Sequence, residues 1–209
     1  MIRDATVFVV DDDDQARESV CALIRSMGLN AESFPSGEAF LEAYTEDRPG
    51  CLVTDLRMLG MSGLELQETL IQRGFKLPVI VITAHPRTSL TVRAMRRGAI
   101  TLLEKPYEDN ELWDAIREGI EQDERQRTEE IRRQDVLQRF NSLTDKERVV
   151  MDMMVEGLAN KVIARKLDVS IRTVESRRHD VFEKMQADSL AELVRMAVAL
   201  RTDDKRDSP

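Results

Sequence analysis

The sequence has few of the residues that mark secreted, disulfide-linked or membrane-spanning proteins. Of 209 residues only two are cysteines, Cys21 and Cys51, and their spacing fits neither a metal site nor a disulfide framework. We expect both to be buried thiols, one on the apolar side of a helix and one at the start of a strand. The longest apolar runs, such as residues 79–82, are far too short to span a bilayer.

The amino terminus also lacks a secretory signal. The short apolar run at residues 7–10 is followed at once by four aspartates, whereas a signal peptide needs a basic start and a longer apolar middle. The sequence therefore predicts a cytoplasmic protein with no membrane partner.

Charge is abundant and unevenly distributed. Hydrophobic residues make up 42% and charged residues 33%, which suits a globular protein with real cores. Residues 1–122 carry 13 Lys and Arg against 21 Asp and Glu, whereas residues 138–201 carry 12 against 10. An acidic first half beside a mildly basic second half indicates a different partner for each.

The first 120 residues alternate between strand and helix patterns. Val20, Ile24 and Met27 follow helical spacing, and Gly28 ends that helix. Runs typical of strands lie at residues 6–10, 52–54, 79–83 and 100–103, with a weaker one near 31–34. Five strands alternating with helices predict an α/β domain with a parallel sheet covered on both faces.

Only helix signals follow from about residue 108. An apolar stripe through Ile120 gives way to charge, which we interpret as the last helix of the first domain extended into a helical linker. A coiled-coil dimer is the alternative, but Arg127 and Gln134 occupy the seam and favour a solvated helix. Caps at Thr144, Ser170 and Ser189 then predict a small all-α domain of four helices.

Polar side chains cluster at the predicted strand ends. Residues 11–14 follow the first strand, Asp55 the third and Lys105 the fifth, while Thr83 ends the fourth. In a parallel sheet these ends share one crevice. Clustered carboxylates need a cation, and Mg²⁺ bound by carboxylate, water and phosphate oxygens fits best. One carboxylate is then a candidate nucleophile toward a phosphoryl group, stabilised by the metal, an ammonium and a hydroxyl.

Each of these residues also has a purely structural interpretation. The aspartates terminate a strand and cap a helix, as we expect of Asp14, while Lys105 is a turn lysine and Thr83 a strand end. Their convergence on one crevice favours the chemical interpretation. We interpret His85 as a loop residue and not as a catalyst.

Four segments at these strand ends resemble the motifs of response-regulator receiver domains, in order and at the family's spacing. They are Val10-Asp11-Asp12-Asp13, Leu52-Val53-Thr54-Asp55-Leu56-Arg57-Met58, Val81-Ile82-Thr83-Ala84 and Glu104-Lys105-Pro106. The resemblance covers residues 5–120 and implies a flavodoxin-like (βα)5 fold in which Asp55 accepts the phosphate. It also implies that Thr83 and Lys105 contact the phosphoryl group. The implied ligands of Mg²⁺, for which Mn²⁺ substitutes, are Asp12, Asp55, the backbone carbonyl of Arg57 and, through water, Asp11.

Three positions depart from the family pattern. Leu59 replaces a usual proline and predicts a looser loop, Leu102 replaces a switch Tyr or Phe, and Pro86 with Arg87 replaces Gly-Asp. These departures put the switching details in question and leave open a phosphorylation-independent DNA-binding scaffold. They do not touch the phosphoacceptor.

The second domain resembles the LuxR-type helix-turn-helix over residues 140–201. The matching segments are Leu143-Thr144-Asp145-Lys146-Glu147, Asn160-Lys161-Val162-Ile163-Ala164, Leu167-Asp168-Val169-Ser170 and Thr173-Val174-Glu175. A helix from Ser170 to about Met185 is amphipathic and suits the major groove. The predicted DNA contacts are Lys161, Arg172, Thr173, Glu175, Arg177, Arg178, His179 and Lys184. The alternative is a helix whose charges face only solvent.

Together the two resemblances point to the NarL/FixJ family of two-component response regulators, in its FixJ-like branch. They imply a receiver at residues 1–121, a linker at 122–139, a DNA-binding domain at 140–201 and a disordered tail at 202–209. The implied partners are a sensor histidine kinase, double-stranded promoter DNA, a second copy on phosphorylation, and RNA polymerase. We expect no enzyme, because a Mg²⁺-dependent phosphohydrolase needs an acid two residues after its nucleophile, where Arg57 lies.

Overall fold

The computed structural model describes residues 5–46, 48–84 and 88–204. The chain divides into two compact units, Met1–Arg127 and Thr128–Pro209. Among the described residues, no helix combines the length and the apolar character that a membrane span requires.

The first unit is a parallel α/β sheet, which confirms the flavodoxin-like prediction. Its strands are β1 (Thr6–Val10), β2 (Asn30–Phe34), β3 (Gly50–Asp55), β4 (Val79–Thr83) and β5 (Thr101–Glu104). Its helices are α1 (Asp14–Ser26), α2 (Gly37–Ala43), α3 (Gly63–Gln72), α4 (Thr88–Arg96) and the start of α5 (Asp109–Asn141). The strands pair in the order β2-β1-β3-β4-β5, with every pair parallel.

Alternate residues of the strands feed two separate cores. In β1, Phe8 and Val10 face a cluster that includes Phe40 of α2 and Leu66 of α3. Val7 and Val9 face the other side, where α1 and α5 contribute residues such as Ile24 and Ile116. This two-residue period buries both faces of the sheet and leaves the strand ends as the exposed edge for chemistry.

A buried carboxylate ties the middle of α5 to the amino end of β3. Asp123, only 5% exposed, accepts hydrogen bonds from the Gly50 N–H at 2.9 Å and the Arg127 Nε–H at 2.8 Å. Arg127 also donates to the backbone carbonyl of Arg48 at 2.8 Å. The first unit therefore continues along α5 as far as Arg127.

Helix caps follow the sequence predictions with one correction. Thr144 with Glu147 forms the cap predicted for α6, and Ser62 with Glu65 forms a second capping box at α3. At α1, however, the cap is Asp13, whose Oδ1 accepts from two backbone N–H groups, and not Asp14. Asp14 is the first helical residue and pairs with Arg17.

The second unit is entirely helical. It contains the end of α5, then α6 (Asp145–Val155), α7 (Asn160–Leu167), α8 (Ile171–Met185) and α9 (Leu190–Asp204). Its core is built from residues such as Val150, Met154, Ile163, Val174, Val181 and Leu193. Helix α9 extends three residues into the predicted tail, and residues 205–209 lie outside the described part of the chain.

Candidate functional site

The sheet register brings the predicted site residues to one edge. Val10 of β1 pairs with Thr54 of β3, so the residues that follow them, Asp11 and Asp55, emerge side by side. Thr83 at the end of β4 pairs with Glu104, the residue before Lys105. The backbone N–H of Lys105 donates to the Thr83 carbonyl at 2.8 Å and continues that ladder into the site.

Lys105 joins two of the acids. Its Nζ lies 2.9 Å from Asp55 Oδ1 and 3.1 Å from Asp11 Oδ2. Burial by itself would lower the pKa of the Lys105 ammonium, but hydrogen bonds and charges from Asp55 and Asp11 outweigh it and hold the pKa above the ordinary lysine value. A permanently charged ammonium is therefore fixed beside the predicted nucleophile.

The remaining carboxylate oxygens are oriented by backbone N–H groups. Asp55 Oδ2 accepts from Arg57 at 2.6 Å, Asp12 Oδ2 from Leu59 at 2.9 Å, and Asp11 Oδ1 from Asp13 at 2.9 Å. Asp11 is buried, Asp55 is half-buried and Asp12 is exposed. The solvent exposure of the three acids thus increases from Asp11 through Asp55 to Asp12.

The donor set fits a hard divalent cation. Lys105 contacts two of the three carboxylates, so the cluster of Asp11, Asp12 and Asp55 keeps a net negative charge for a cation to neutralise. Within the described ranges, no three His, Cys, Asp or Glu side chains are grouped as a metal centre by themselves. Magnesium takes few protein oxygens and keeps several waters, so a partial set of this kind is what it requires.

The other predicted residues of the crevice fall into two groups. Thr83 is buried at 1% exposure where β4 ends. Leu102, which replaces the family's usual Tyr or Phe, packs against the cluster that contains Leu52 and Ala94. His85, Pro86 and Arg87 lie outside the described residues.

Sequence reasoning missed Glu38 and the backbone of Leu59. Glu38, in the first turn of α2, accepts from the Met61 N–H at 3.1 Å and holds the loop that follows Asp55. The Leu59 side chain is 83% exposed, but its N–H reaches Asp12. Both contacts join residues far apart in the chain, and no local pattern signals them.

Helices α7 and α8 form a helix-turn-helix. Helix α7 ends at Asp168, whose left-handed backbone (φ 52°) reverses the chain. Ser170 then caps α8, with its Oγ accepting from the Thr173 N–H at 3.1 Å. The turn needs no glycine, because Asp tolerates the left-handed region better than most residues do.

The two sides of α8 are sharply different. Val174, Val181 and Met185 are fully buried in the core of the second unit. Opposite them runs an exposed stripe at helical spacing that consists of Arg172, Glu175, Ser176, His179 and Glu183. The predicted contacts Thr173, Arg177 and Arg178 are half-buried along its margins, and Lys161 is exposed near the start of α7.

Lys184 differs from the other predicted DNA contacts. Its Nζ lies 2.7 and 2.9 Å from the two carboxylate oxygens of Glu147, a residue that is 7% exposed. Glu147 is also the third residue of the α6 capping box, so this pair anchors the end of α8 to the start of α6. Lys184 has a structural partner inside the unit.

Comparison with known families matches both units. Residues 7–117 match the response regulator receiver domain, and residues 141–197 match the bacterial regulatory proteins of the luxR family.

Several curated relatives match over most of the chain. The transcriptional regulatory protein FixJ of Azorhizobium caulinodans is 46% identical over 192 residues, covering 92% of this chain and 91% of that protein. FixJ of Bradyrhizobium diazoefficiens is 41% identical, covering 92% and 94%. The response regulator protein TodT of Pseudomonas putida is 34% identical, covering 95% and 88%.

Solved structures agree. The response regulator StyR is 42% identical with a TM-score of 0.84, covering 93% of this chain and 98% of that one. Full-length FixJ from B. japonicum is 40% identical with a TM-score of 0.58, covering 94% and 97%.

Proposed function

Because the chain belongs to the two-component response regulators that join a receiver to a LuxR-type DNA-binding domain, we propose that Asp55 accepts the phosphoryl group and that α8 reads promoter DNA. The protein is a DNA-binding transcriptional regulator, and its receiver implies a histidine kinase as partner. A promoter reader acts where the chromosome lies, so we place its action in the cytoplasm.

The single observation that carries the proposal for Asp55 is the Lys105 ammonium. It contacts Asp55 at 2.9 Å and Asp11 at 3.1 Å at the carboxyl ends of three strands. In the proposed reaction, an Asp55 oxygen attacks phosphorus, the bond from phosphorus to the kinase histidine breaks, and an acyl phosphate forms. Lys105 then faces a charge that grows on the phosphoryl oxygens, which an ordinary surface lysine does not do.

The remaining residues bind and orient the group. We assign Asp12, Asp55 and the Arg57 carbonyl as direct ligands of Mg²⁺ or Mn²⁺, with Asp11 acting through water. The cation, when bound, neutralises the carboxylates so that an anionic phosphoryl group can approach. The buried Thr83 hydroxyl at the end of β4 contacts the phosphoryl oxygens after transfer.

The exposed stripe of α8 supports the DNA-reading role. Arg172, Thr173 and Glu175 lie in its first turns, where a major-groove helix meets base edges. Guanidinium and carboxylate groups are the partners that guanine and cytosine edges select. Arg177, Arg178, His179 and Lys161 then contact phosphates or further base edges. We leave Lys184 out of this set because Glu147 holds it.

We further propose the domain limits and the assembly that follow from this role. The receiver, linker, DNA-binding domain and tail occupy residues 1–121, 122–139, 140–201 and 202–209, and the first turns of the linker, as far as Arg127, pack on the receiver. Phosphorylation favours a homodimer on paired half-sites, and RNA polymerase is a further partner. The protein accepts phosphate without turning over a substrate, since Arg57 lies where a hydrolase needs its acid.

One experiment tests both halves of the proposal. The full chain is incubated with acetyl phosphate and Mg²⁺, the modified residue is mapped by mass spectrometry, and DNA binding is titrated by gel shift. We expect one phosphoryl group on Asp55, tighter DNA binding after labelling, and neither effect in Asp55→Asn. Asp14→Asn, a matched exposed aspartate, should be labelled normally. Labelling that survives Asp55→Asn contradicts the assignment, and equal DNA affinity before and after labelling favours a phosphorylation-independent scaffold.

A further inference from the structure

The loop between β3 and α3 has a regular hydrogen-bond pattern. Three alternate backbone N–H groups, those of Arg57, Leu59 and Met61, each donate to a carboxylate. The acceptors are Asp55, Asp12 and Glu38, which come from three different parts of the chain. The loop is therefore held at both ends and in its middle.

Leu59 acts in this pattern through its backbone. Its side chain is 83% exposed, whereas its N–H lies 2.9 Å from Asp12 Oδ2 across 47 residues of sequence. Of the natural residues, only proline would remove that N–H. A leucine at this position predicts a looser loop than a proline does. The leucine also makes a hydrogen bond that proline cannot make.

The contact falls on the exposed member of the three acids. Asp12 is exposed, between the buried Asp11 and the helix cap Asp13, and its Oδ2 accepts from Leu59. An exposed carboxylate samples several rotamers, and a cation that binds it must first select one. Hydrogen bonds that orient a ligating carboxylate contribute to metal affinity for this reason.

We propose that the Leu59 N–H is a positioning group for divalent-cation binding, because it presents Asp12 in a fixed orientation. The inference rests on the proposed function, in which Asp12 is a ligand of the cation. Glu38 supports the same arrangement from outside the crevice. A side chain added at Gly60 would begin 3.2 Å from Glu38 Oε1, so the loop and this carboxylate are closely apposed.

The test compares Leu59→Pro with Leu59→Ala in the full chain without phosphodonor. Titration calorimetry with MgCl₂ measures cation affinity directly. We expect Leu59→Ala to bind within about two-fold of the original protein, because it keeps the N–H and changes only an exposed side chain. Leu59→Pro should bind about 10-fold more weakly, the lower end of the loss seen for outer-shell partners. Equal Mg²⁺ affinities for the two variants would overturn the inference.

A second variant separates the N–H from proline's rigidity. Replacing the amide of Leu59 by an ester, through semisynthesis, removes the donor and keeps the side chain and backbone freedom. The ester should reproduce the proline loss, while metal-free melting temperatures stay alike for all variants. Normal affinity in the ester would contradict the inference.

The proposed function fails in a distinguishable way. Asp12→Asn should lose most Mg²⁺ affinity, whatever happens at Leu59. Unchanged affinity in Asp12→Asn would remove Asp12 from the ligand set and with it the basis of the inference. If Asp12→Asn binds Mg²⁺ weakly while Leu59→Pro binds it with normal affinity, the inference about Leu59 is overturned and the proposed role of Asp12 stands.

Discussion

The receiver crevice and the exposed side of α8 place functional residues in opposite environments. In the crevice, Asp11 and Asp55 are both joined to Lys105. On α8, the stripe of Arg172, Glu175, Ser176, His179 and Glu183 is exposed, whereas Lys184 of the same helix pairs with Glu147 of α6. The crevice residues are thus organised around one ammonium group, whereas the residues of the α8 stripe form an extended exposed surface.

This difference predicts how each region responds to substitution. A joined cluster loses its chemistry when one member is removed, because the others are left with uncompensated charge. An exposed stripe loses affinity in steps, because its contacts are separate and nearly additive. Four measurements break or sharpen that comparison.

Removal of the Lys105 ammonium should have the largest effect. We expect Lys105→Met to slow labelling of Asp55 by acetyl phosphate about 100-fold, the cost of losing one preorganised group that stabilises developing charge. Labelling rates measured by intact mass give the comparison. Lys76→Met, which alters an exposed lysine before the amino end of β4, should label at the normal rate. A loss below three-fold in Lys105→Met would show that the crevice is not a joined cluster.

The pair that joins α8 to α6 should come next. Glu147→Ala removes both a helix cap and the partner of Lys184 and should destabilise the second unit by about 2 kcal/mol, discounted for the partly exposed lysine. Hydrogen exchange of the α6 and α8 amides in the full chain measures this. Glu147→Gln keeps the cap and should lose about half as much. Glu156→Ala, an exposed glutamate at the end of α6, serves as the matched control and should change nothing.

The exposed stripe should show a graded loss along the helix. Arg172→Ala, in the first turn of α8, should weaken specific DNA binding about 10-fold, as expected for one base or phosphate contact. Glu183→Gln, near the other end of the same stripe, should leave affinity within two-fold. Gel-shift titrations at fixed salt provide the measurement. Equal losses in both variants would mean that the helix does not approach DNA by its amino end.

The smallest expected effect is a pH dependence of the second unit. The hydrogen bond from Lys184, ahead of those from Thr144, lowers the pKa of Glu147 below its ordinary value of 4.5. A lowered carboxyl pKa stabilises the fold above the unfolded value, and this stabilisation is lost as the pH falls through the folded pKa. The stability difference between the original protein and Glu147→Gln should therefore shrink below pH 4.5. A difference that stays constant down to acid unfolding would contradict the assigned charge pair.

The sequence predicted the elements better than the contacts. Strands Thr6–Val10 and Val79–Thr83 were predicted at both ends, because buried parallel strands are continuous apolar runs bounded by polar residues. Strand Gly50–Asp55 is longer than the predicted run at residues 52–54, because Gly50 and Cys51 also pair with β1 and Asp55 pairs with β4. Local signals such as capping boxes were equally legible.

Contacts between distant residues were beyond the sequence. Choosing between neighbouring aspartates as the cap of α1 depends on where the backbone turns into the helix, which placed Asp13 and not Asp14 there. Lys184 had the charge and position of a DNA contact, and only the packing of α8 on α6 revealed Glu147 as its partner. In the sequence, Leu59 was notable only because it replaces a proline. In the structure, its backbone N–H is the group that contacts Asp12.

The hydrogen bonds that Asp123 and Arg127 make to Gly50 and Arg48 determine where this chain can be divided into two fragments. A receiver fragment that stops at residue 121 would leave the Gly50 N–H without its acceptor. It would also lack the hydrogen bonds from Arg127 to Asp123 and to the Arg48 carbonyl. That break occurs at the foot of β3, the strand that carries Asp55 at its other end. A fragment that ends after Arg127 keeps these hydrogen bonds. Poor folding of a shorter fragment would therefore result from the position of the cut and not from the chemistry of the crevice.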